Sequence, residues 1–372
     1  MKSKKTSIID RLKNDFNEKI GDKSILDWSH FFFKNDSRAF NVTHAGTLFK
    51  LYSLYTYLIF PYLPIMTNQR NMHGTKLIYF DLFAGNGLNF LNVEHKSLHL
   101  LGSTLFVILA SYKLGLIKNK NYNFDKLIII DKDENNVDLL TKRLQLLIKE
   151  LNLLDLYKIS KKFDVNFNIY GLKGDVTKSD FIEELTDYLD TVWHFHRIIH
   201  IMFFIDPDTP ESLRARTLQS LLCYPGDVIL LLHPGIFAEM VNKRFYGKGT
   251  LKKMLDLNDD EVEKLYNNSH TPSTLHHYYV YKYENIIKNI TIKGINSGSN
   301  KRDVLKKVDI KTRSGYYVLL YATRSTGGSN YERWQKGAEE LATEISHLSN
   351  SGKSIINILL GEQQQISRFF VD

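Results

Sequence analysis

From residue 76 onward the chain alternates between short apolar runs and longer amphipathic stretches. The runs "KLIYF", "KLIIID", "FNIYGLK", "RIIHIMFFID" and "GDVILLLHP" are rich in Ile, Leu, Val and aromatics. They are apolar on both faces, as strands covered on both sides must be. They predict strands over 77–81, 127–131, 167–172, 198–205 and 227–232. The stretches 103–115, 134–151, 179–190 and 211–222 have helical spacing. Strand alternating with helix predicts an α/β fold, a parallel sheet with helices on both faces. The alternation stops after 235. "NITIKGI" (289–295) and "GYYVLLYAT" (315–323) then predict an antiparallel closing pair, with a late helix over 331–348. Residues 1–70 read as a helical extension without strand alternation, 71–350 as the α/β domain and 351–372 as a tail. "INSGSNKR" (295–302) predicts a mobile loop.

Four of the predicted strands finish on an acid: Asp81, Asp131, Asp175 and Asp206. In a parallel sheet the carboxyl ends share one edge, and ligands bind in the crevice there. The segment "DLFAGNG" adds a turn to that edge, with Gly85 and Gly87 able to take positive φ and to let a ligand approach the backbone. It is not a phosphate loop, since the GxxxxGK[ST] pattern is absent. Nor is it the dinucleotide fingerprint, since Phe90 stands where a third glycine belongs. A ligand without phosphate, such as an adenosyl amino acid, fits better. Asp131 is expected to accept from two ribose hydroxyls, and Asp175, after Gly174, from an adenine amino group. Asp81 and the turn Phe83, Ala84, Gly85, Asn86 and Gly87 are expected to face the amino acid end.

Composition narrows the classes. The 372 residues are 43% apolar and contain one cysteine, Cys223, which excludes a disulfide framework and multi-cysteine metal sites. That fits a reducing, cytoplasmic setting. The greasiest stretch, 48–66, carries Lys50, hydroxyls and two prolines, and predicts an aromatic helix packed on a domain instead of a membrane span. The net charge is +8. Residues 282–313 hold nine Lys and Arg against three acids, a net of +6. Such a segment attracts polyanions through counterion release, so Lys301, Arg302, Lys306 and Lys307 are candidates for nucleic-acid contact. His194, His196 and His200 approach metal-ligand spacing but read as structural. His276 and His277 beside Tyr278 and Tyr279 read as core before base-stacking. His233, at the end of the fifth strand, is a general-base candidate.

The ordered set "DLFAGNG", "IIIDKDENN", "GD" and "FFIDPD" resembles the sheet-edge motifs of class I S-adenosylmethionine-dependent methyltransferases. More narrowly, the chain resembles the three-Cys-motif partner proteins (TcmP). That likeness also covers Gly102–Ser103 opening a helix, "THAGTLFKLYSLYTYL" with His44, Lys50 and Tyr57, and "YYVLLYATRSTGG" with Trp334. It spans about residues 44–334. The resemblance implies a Rossmann-like sheet, parallel with one antiparallel strand, and S-adenosylmethionine as cofactor. It also implies Asp206 as the residue that orients or deprotonates the acceptor, and a three-Cys-motif protein as partner. The chain departs from the pattern in four places, the first being a spacing from His44 to Lys50 that is longer by two. Asn86 stands where Pro is common. Lys132 stands where an apolar residue covers adenine. "DPDT" lacks the aromatic that stacks a target base, so base amino-group methylation is not supported. The rival reading is a non-catalytic nucleic-acid or partner platform on the same fold.

Overall fold

The computed structural model of the chain describes residues 8–38, 40–42, 46–93, 96–164, 166–196, 198–268, 270–294, 300–312, 315–324 and 329–351. Of the expected mobile loop at 295–302, residues 295–299 lie outside the described residues, as do the tail beyond 351 and His44. In chain order the helices are α1 (Ile8–Asn17), α2 (Ile25–Asn35), α3 (Gly46–Tyr57), α4 (Leu63–His73), α5 (Ser103–Lys118), α6 (Glu134–Glu150) and α7 (Ser179–His196). Then come α8 (Ala215–Leu221), α9 (Pro234–Asn242), α10 (Lys248–Leu255), α11 (Asp259–Asn267), α12 (Pro272–Asn289) and α13 (Ser329–Ser351). The strands are β1 (Lys19–Ile20), β2 (Lys23–Ser24), β3 (Phe40–Val42), β4 (Lys76–Asp81), β5 (Leu88–Val93), β6 (Lys96–Leu101) and β7 (Lys126–Asp131). They continue with β8 (Ile159–Ser160), β9 (Ile169–Lys173), β10 (Ile199–Ile205), β11 (Gly226–Leu232), β12 (Val304–Thr312) and β13 (Gly315–Thr323).

The main sheet has eight strands in the order β12-β13-β11-β10-β4-β7-β9-β8. Seven run one way. β13 runs against both of its neighbours, β11 and β12, so β12 points along the parallel core. This is the Rossmann-like methyltransferase sheet, and all five parallel strands expected from the sequence are in it. From β4 the chain builds outward first through β7 and β9, then on the other side through β10 and β11. The order therefore reverses at β4, and a crevice opens at that switch point. Phe204 pairs with Asp81, and Asp81 with Ile129, which fixes the carboxyl ends of β10, β4 and β7 on one edge.

Two expectations are corrected. The strand expected over 289–295 is absent from its described part, 289–294: α12 runs to Asn289, and Ile292 N donates to Asn300 O at 2.7 Å in an irregular return. The partner of β13 is β12, whose "VLKKVDIKT" reads as polar because it is an edge strand with alternating buried positions, Val308 and Ile310. Nor is the region before 71 free of strands. β1 and β2 pair, and β3 joins the hairpin β5–β6 in a three-stranded sheet. That hairpin is inserted between the glycine turn and α5.

Two apolar layers sandwich the sheet. One holds Leu12, Trp28, Tyr55, Phe106, Leu144 and Trp334, so α1–α3 share a core with α5, α6 and α13. The other holds Leu185, Leu218, Phe237, Leu255 and Tyr279 from α7 to α12. The stretch 48–66 forms α3, a π-helical turn at Leu58–Tyr62 and the start of α4. Among the described residues no helix is long and apolar enough to cross a membrane.

Candidate functional site

Asp81 ends β4 and is fully buried. Its Oδ2 accepts from Ser103 Oγ at 2.5 Å, Thr104 Oγ1 at 3.1 Å and Tyr79 Oη at 3.1 Å, and Oδ1 from Phe83 N at 3.3 Å. Burial pushes the carboxyl up to about 6; the three hydroxyls and the amide offset only part of that. Asp81 was expected to face a ligand. It instead ties the start of α5 to the sheet, with all of its close donors supplied by the chain.

The glycine turn is also used internally. Gly85 and Gly87 have φ of +59° and +84°, the left-handed region that favours glycine. A Cβ on Gly87 would lie 2.6 Å from Leu140 Cδ1, and one on Gly102 2.8 Å from Gly87 Cα. Gly102 N donates to Gly87 O at 2.7 Å, closing the inserted hairpin at its base. Buried Arg143 donates to Asn86 O at 2.6 Å and to Asn86 Oδ1 at 3.0 Å, and Nη2 reaches Asp36 O at 3.0 Å. Ala84, Gly85, Asn86 and Gly87 therefore pack beneath α5 and α6 and do not line the cavity described next.

That cavity, of about 800 Å³, opens over the ends of β4, β7, β9 and β10. Phe83, Asp131, Lys132, Gly174 and Asp175 line it together, so five of the ten residues expected at a cofactor meet in one place. Asp131 Oδ2 accepts from Gly85 N at 3.0 Å; Oδ1 accepts from Asp133 N at 2.8 Å and Asn136 Nδ2 at 3.1 Å. A carboxylate offers about four acceptor positions. One remains, on Oδ2, so the expected pair of hydroxyl contacts reduces to one. Asp175 Oδ1 accepts from Thr177 N at 2.9 Å and Thr177 Oγ1 at 2.7 Å, leaving Oδ2 open. Partial burial alone would raise Asp175, but the Thr177 hydroxyl and amide outweigh it and hold the carboxyl below its usual range.

Asp206 follows β10, and its carboxylate pairs with the Lys50 ammonium of α3; the two side chains are 13% and 17% exposed. Asp208, two residues on, lines the cavity. Its side chain is open to the cavity's water yet closely walled by protein. That confinement raises its carboxyl, and the nearby Asp206 and Asp131 raise it further. His233 is not at the site. It caps α9, is 7% exposed and lies edge-on to Tyr317 at 5.3 Å. The reason is topological: β11 is two strands from the switch point, and its end meets β13.

Several lining residues escaped sequence reasoning: Thr209, Glu211, Ser212, Arg214, Gly247, Gly249, Thr250 and Lys253. The one available signal was the small-residue run "GKGT", which opens α10 far downstream of the motifs. The histidine cluster disperses: His194 and His196 end α7, while His200 lies inside β10. Among the described residues no three metal-capable side chains gather.

The basic segment is less available than its charge suggested. Arg302 is 1% exposed, and its guanidinium donates to Gly226 O at 3.0 Å, Leu222 O at 2.6 Å and Tyr224 O at 2.9 Å. Burial lowers it to about 10. It is a structural staple, not a phosphate ligand. Lys306 and Lys307 are exposed, but as successive residues of β12 they point to opposite faces. Lys301 is exposed. Lys293 pairs with Asp190 at 2.8 Å, and Lys282 with Glu261.

No protein-family model matches the chain, and no curated relative matches it. Among solved structures it is similar to protein LPL1258 from Legionella pneumophila str. Philadelphia 1, assigned to family DUF519. The identity is 12% over 83% of this chain and 96% of that one, with a TM-score of 0.39. It is also similar to a Clostridium thermocellum protein provisionally named as an rRNA methylase, at 12% identity over 71% of this chain and 97% of that one, with a TM-score of 0.27. The strand order carries the fold: a methyltransferase-like α/β sheet with a cavity at its switch point.

Proposed function

We propose that the chain is an S-adenosylmethionine-dependent methyltransferase of the three-Cys-motif partner type, acting on nucleic acid. The observation that carries this is the convergence of Phe83, Asp131, Lys132, Gly174 and Asp175 on one cavity at the switch point. The donor set fits the cofactor. Asp131 keeps one acceptor position for a ribose hydroxyl, and Asp175 keeps Oδ2 for the adenine amino group. The Lys132 stem offers apolar cover in place of the usual apolar residue. When bound, the cofactor supplies an electrophilic methyl group on a sulfonium. The chain's contribution is positioning. Lys50 fixes Asp206 behind the edge, and Asp208 offers an acceptor for the substrate's proton, its raised affinity for protons suiting it to that task.

The test is calorimetric titration with S-adenosylhomocysteine. Wild type is expected to bind. Asp131→Asn should bind about tenfold or more weakly, the loss of one hydrogen bond to a charged acceptor, about 1.5–3 kcal/mol. Absence of any titration heat in wild type at high ligand concentration overturns the cofactor. A second reading has an observation of its own: Asp206 is held by Lys50, and Asp208–Thr209 replace the stacking aromatic, which favours a platform that binds without methylating. Transfer of labelled methyl to RNA, DNA or protein from a cell extract separates the two. No transfer to any of them, with S-adenosylhomocysteine bound, selects the platform.

A further inference from the structure

The cavity has two chemistries. Asp131, Asp175 and Asp208, from the ends of β7, β9 and β10, make one part acidic. The other part is built by Arg214, which precedes α8, and by α10, through its N-cap Gly247, Gly249 and Thr250 in its first turn and Lys253. The one acid there, Glu211, is engaged: its Oε2 accepts from Tyr246 Oη at 2.6 Å.

The α10 cations differ in their partners. Lys252 pairs with Asp259 at 2.6 Å and Lys248 with Glu263, both away from the cavity lining. Lys253 and Arg214 line the cavity and make no ion pair or side-chain hydrogen bond among the described residues. The acid whose charge Arg214 influences is Asp175, beyond ion-pair contact. Hydroxyls stand beside them: Thr250, and Ser212, whose Oγ shares one hydrogen bond with Thr209 Oγ1 at 2.9 Å and so leaves one hydroxyl proton of the pair free. Gly247 and Gly249 add room, since a Cβ on either would meet nothing within 4 Å. The cavity's roughly 800 Å³ lies toward the upper end of the about 300–1,000 Å³ usual for one small ligand, so it has space for a second reacting group.

We propose that Arg214 and Lys253, with the Ser212 and Thr250 hydroxyls, form a subsite for a phosphodiester of the nucleic-acid acceptor. The subsite holds the nucleotide to be modified against Asp208. The inference rests on the cofactor reading above, which assigns the acidic part of the cavity to the adenosyl group. It also moves phosphate recognition away from Arg302, whose donors are taken, to cations inside the cavity.

The test uses the full chain and two probes. Fluorescently labelled single-stranded 20-mers of mixed sequence, RNA and DNA, report nucleic-acid affinity by anisotropy across a salt series. S-adenosylhomocysteine reports the cofactor site by calorimetry. Variants are Arg214→Gln/Lys253→Gln and, as a control that removes the neighbouring charge of α10 outside the cavity, Lys252→Gln. The double variant is expected to bind at least one 20-mer ten or more times more weakly. Its slope of log affinity against log salt should flatten by about 1.4, from about 0.7 per phosphate contact on a single strand. S-adenosylhomocysteine affinity should stay within twofold, and Lys252→Gln should behave as wild type in both assays. Unchanged slopes, a wild type that binds neither 20-mer, or an equal loss in Lys252→Gln overturns the subsite. A tenfold loss of S-adenosylhomocysteine affinity in the double variant also overturns it, assigning these cations to the cofactor's carboxylate. If wild type binds a 20-mer as described but not S-adenosylhomocysteine, the cofactor reading fails while the subsite stands.

Discussion

Asp81→Asn tests the most unusual charge in the molecule. The carboxyl is fully buried with no cation beside it, and burial raises it from an ordinary 3.8 to about 6. The sign follows from linkage. Between pH 4 and pH 6 the folded state holds a proton that the unfolded state has released, so wild-type stability falls as pH rises through that window. The gap of about two pH units corresponds to about 3 kcal/mol at 1.36 kcal/mol per unit. Above pH 6 the protein carries that cost in full; below about pH 4 it carries none. Asparagine removes the charge and keeps most of the geometry. Its oxygen can still accept from Phe83 N, and its two amide protons can go to two of the three hydroxyls of Ser103, Thr104 and Tyr79, which rotate to suit.

The assay is urea unfolding of wild type and variant at half-unit steps from pH 4 to pH 8. Other acids titrate in this range in both proteins, so the informative quantity is the difference. The variant should gain about 3 kcal/mol relative to wild type between pH 4 and pH 7, with the midpoint of the change between 4 and 6. A difference constant to within about 0.5 kcal/mol across the series would show that the carboxyl titrates normally. The hydroxyl cradle would then be compensating burial in full, and the argument from desolvation would be wrong.

Other outcomes follow from the same geometry. Lys50→Met strands Asp206 near Asp208 and should cost about 3 kcal/mol in urea unfolding, the low end for breaking a buried pair because both partners keep some exposure; Lys50→Met/Asp206→Asn should recover most of that, and a single-variant cost under about 0.5 kcal/mol refutes it. Arg302→Met leaves three buried carbonyls without donors and should lower stability by about 3 kcal/mol or more, read by thermal melting; an unchanged melt refutes the staple. Gly102→Ala forces a Cβ to 2.8 Å from Gly87 Cα, so both melting temperature and S-adenosylhomocysteine affinity should fall; retention of both shows that the turn yields at no cost.

The sequence spelled out the parallel core because strands covered on both faces must be continuously apolar, and "KLIIID" or "GDVILLL" has few other uses. It hid β12 because an edge strand alternates, and "KKVDIK" then looks like a charged loop. It hid the β5–β6 hairpin because no NG or DG turn marks it and its pairing partner, β3, lies far upstream. At the site, residue type was legible but side-chain direction was not. Asp81 and Asp131 end neighbouring strands, yet Asp81 turns into the α5 hydroxyls while Asp131 lines the cavity. Arg302 sat in the most basic segment and is the least exposed of its charges, because net charge carries no information on which guanidinium finds three carbonyls.

The helix ahead of the sheet belongs to the site's machinery, and its spacing shows why. Lys50, Ser53 and Tyr57 are three and then four residues apart, so they fall on one face of α3. Each makes a different tie. Lys50 pairs with Asp206 at the carboxyl end of β10. Ser53 O accepts from Trp334 Nε1 on α13 at 3.2 Å. Tyr57 Oη donates to Asp227, the second residue of β11, at the opposite edge of the sheet. Seven residues of helix give about 10 Å of axis, and the two extended side chains cover the rest of the strand length. α3 is thereby pinned across the sheet from its ligand edge to its far edge. Lys50, Tyr57 and Trp334, three of the residues that carried the family likeness in sequence, make these ties, so their roles here do not require that any of them touch a substrate. It also means that freeing Asp206 for chemistry requires the Lys50 ammonium to swing away, which its flexible four-carbon stem allows while Ser53 and Tyr57 hold the helix in place.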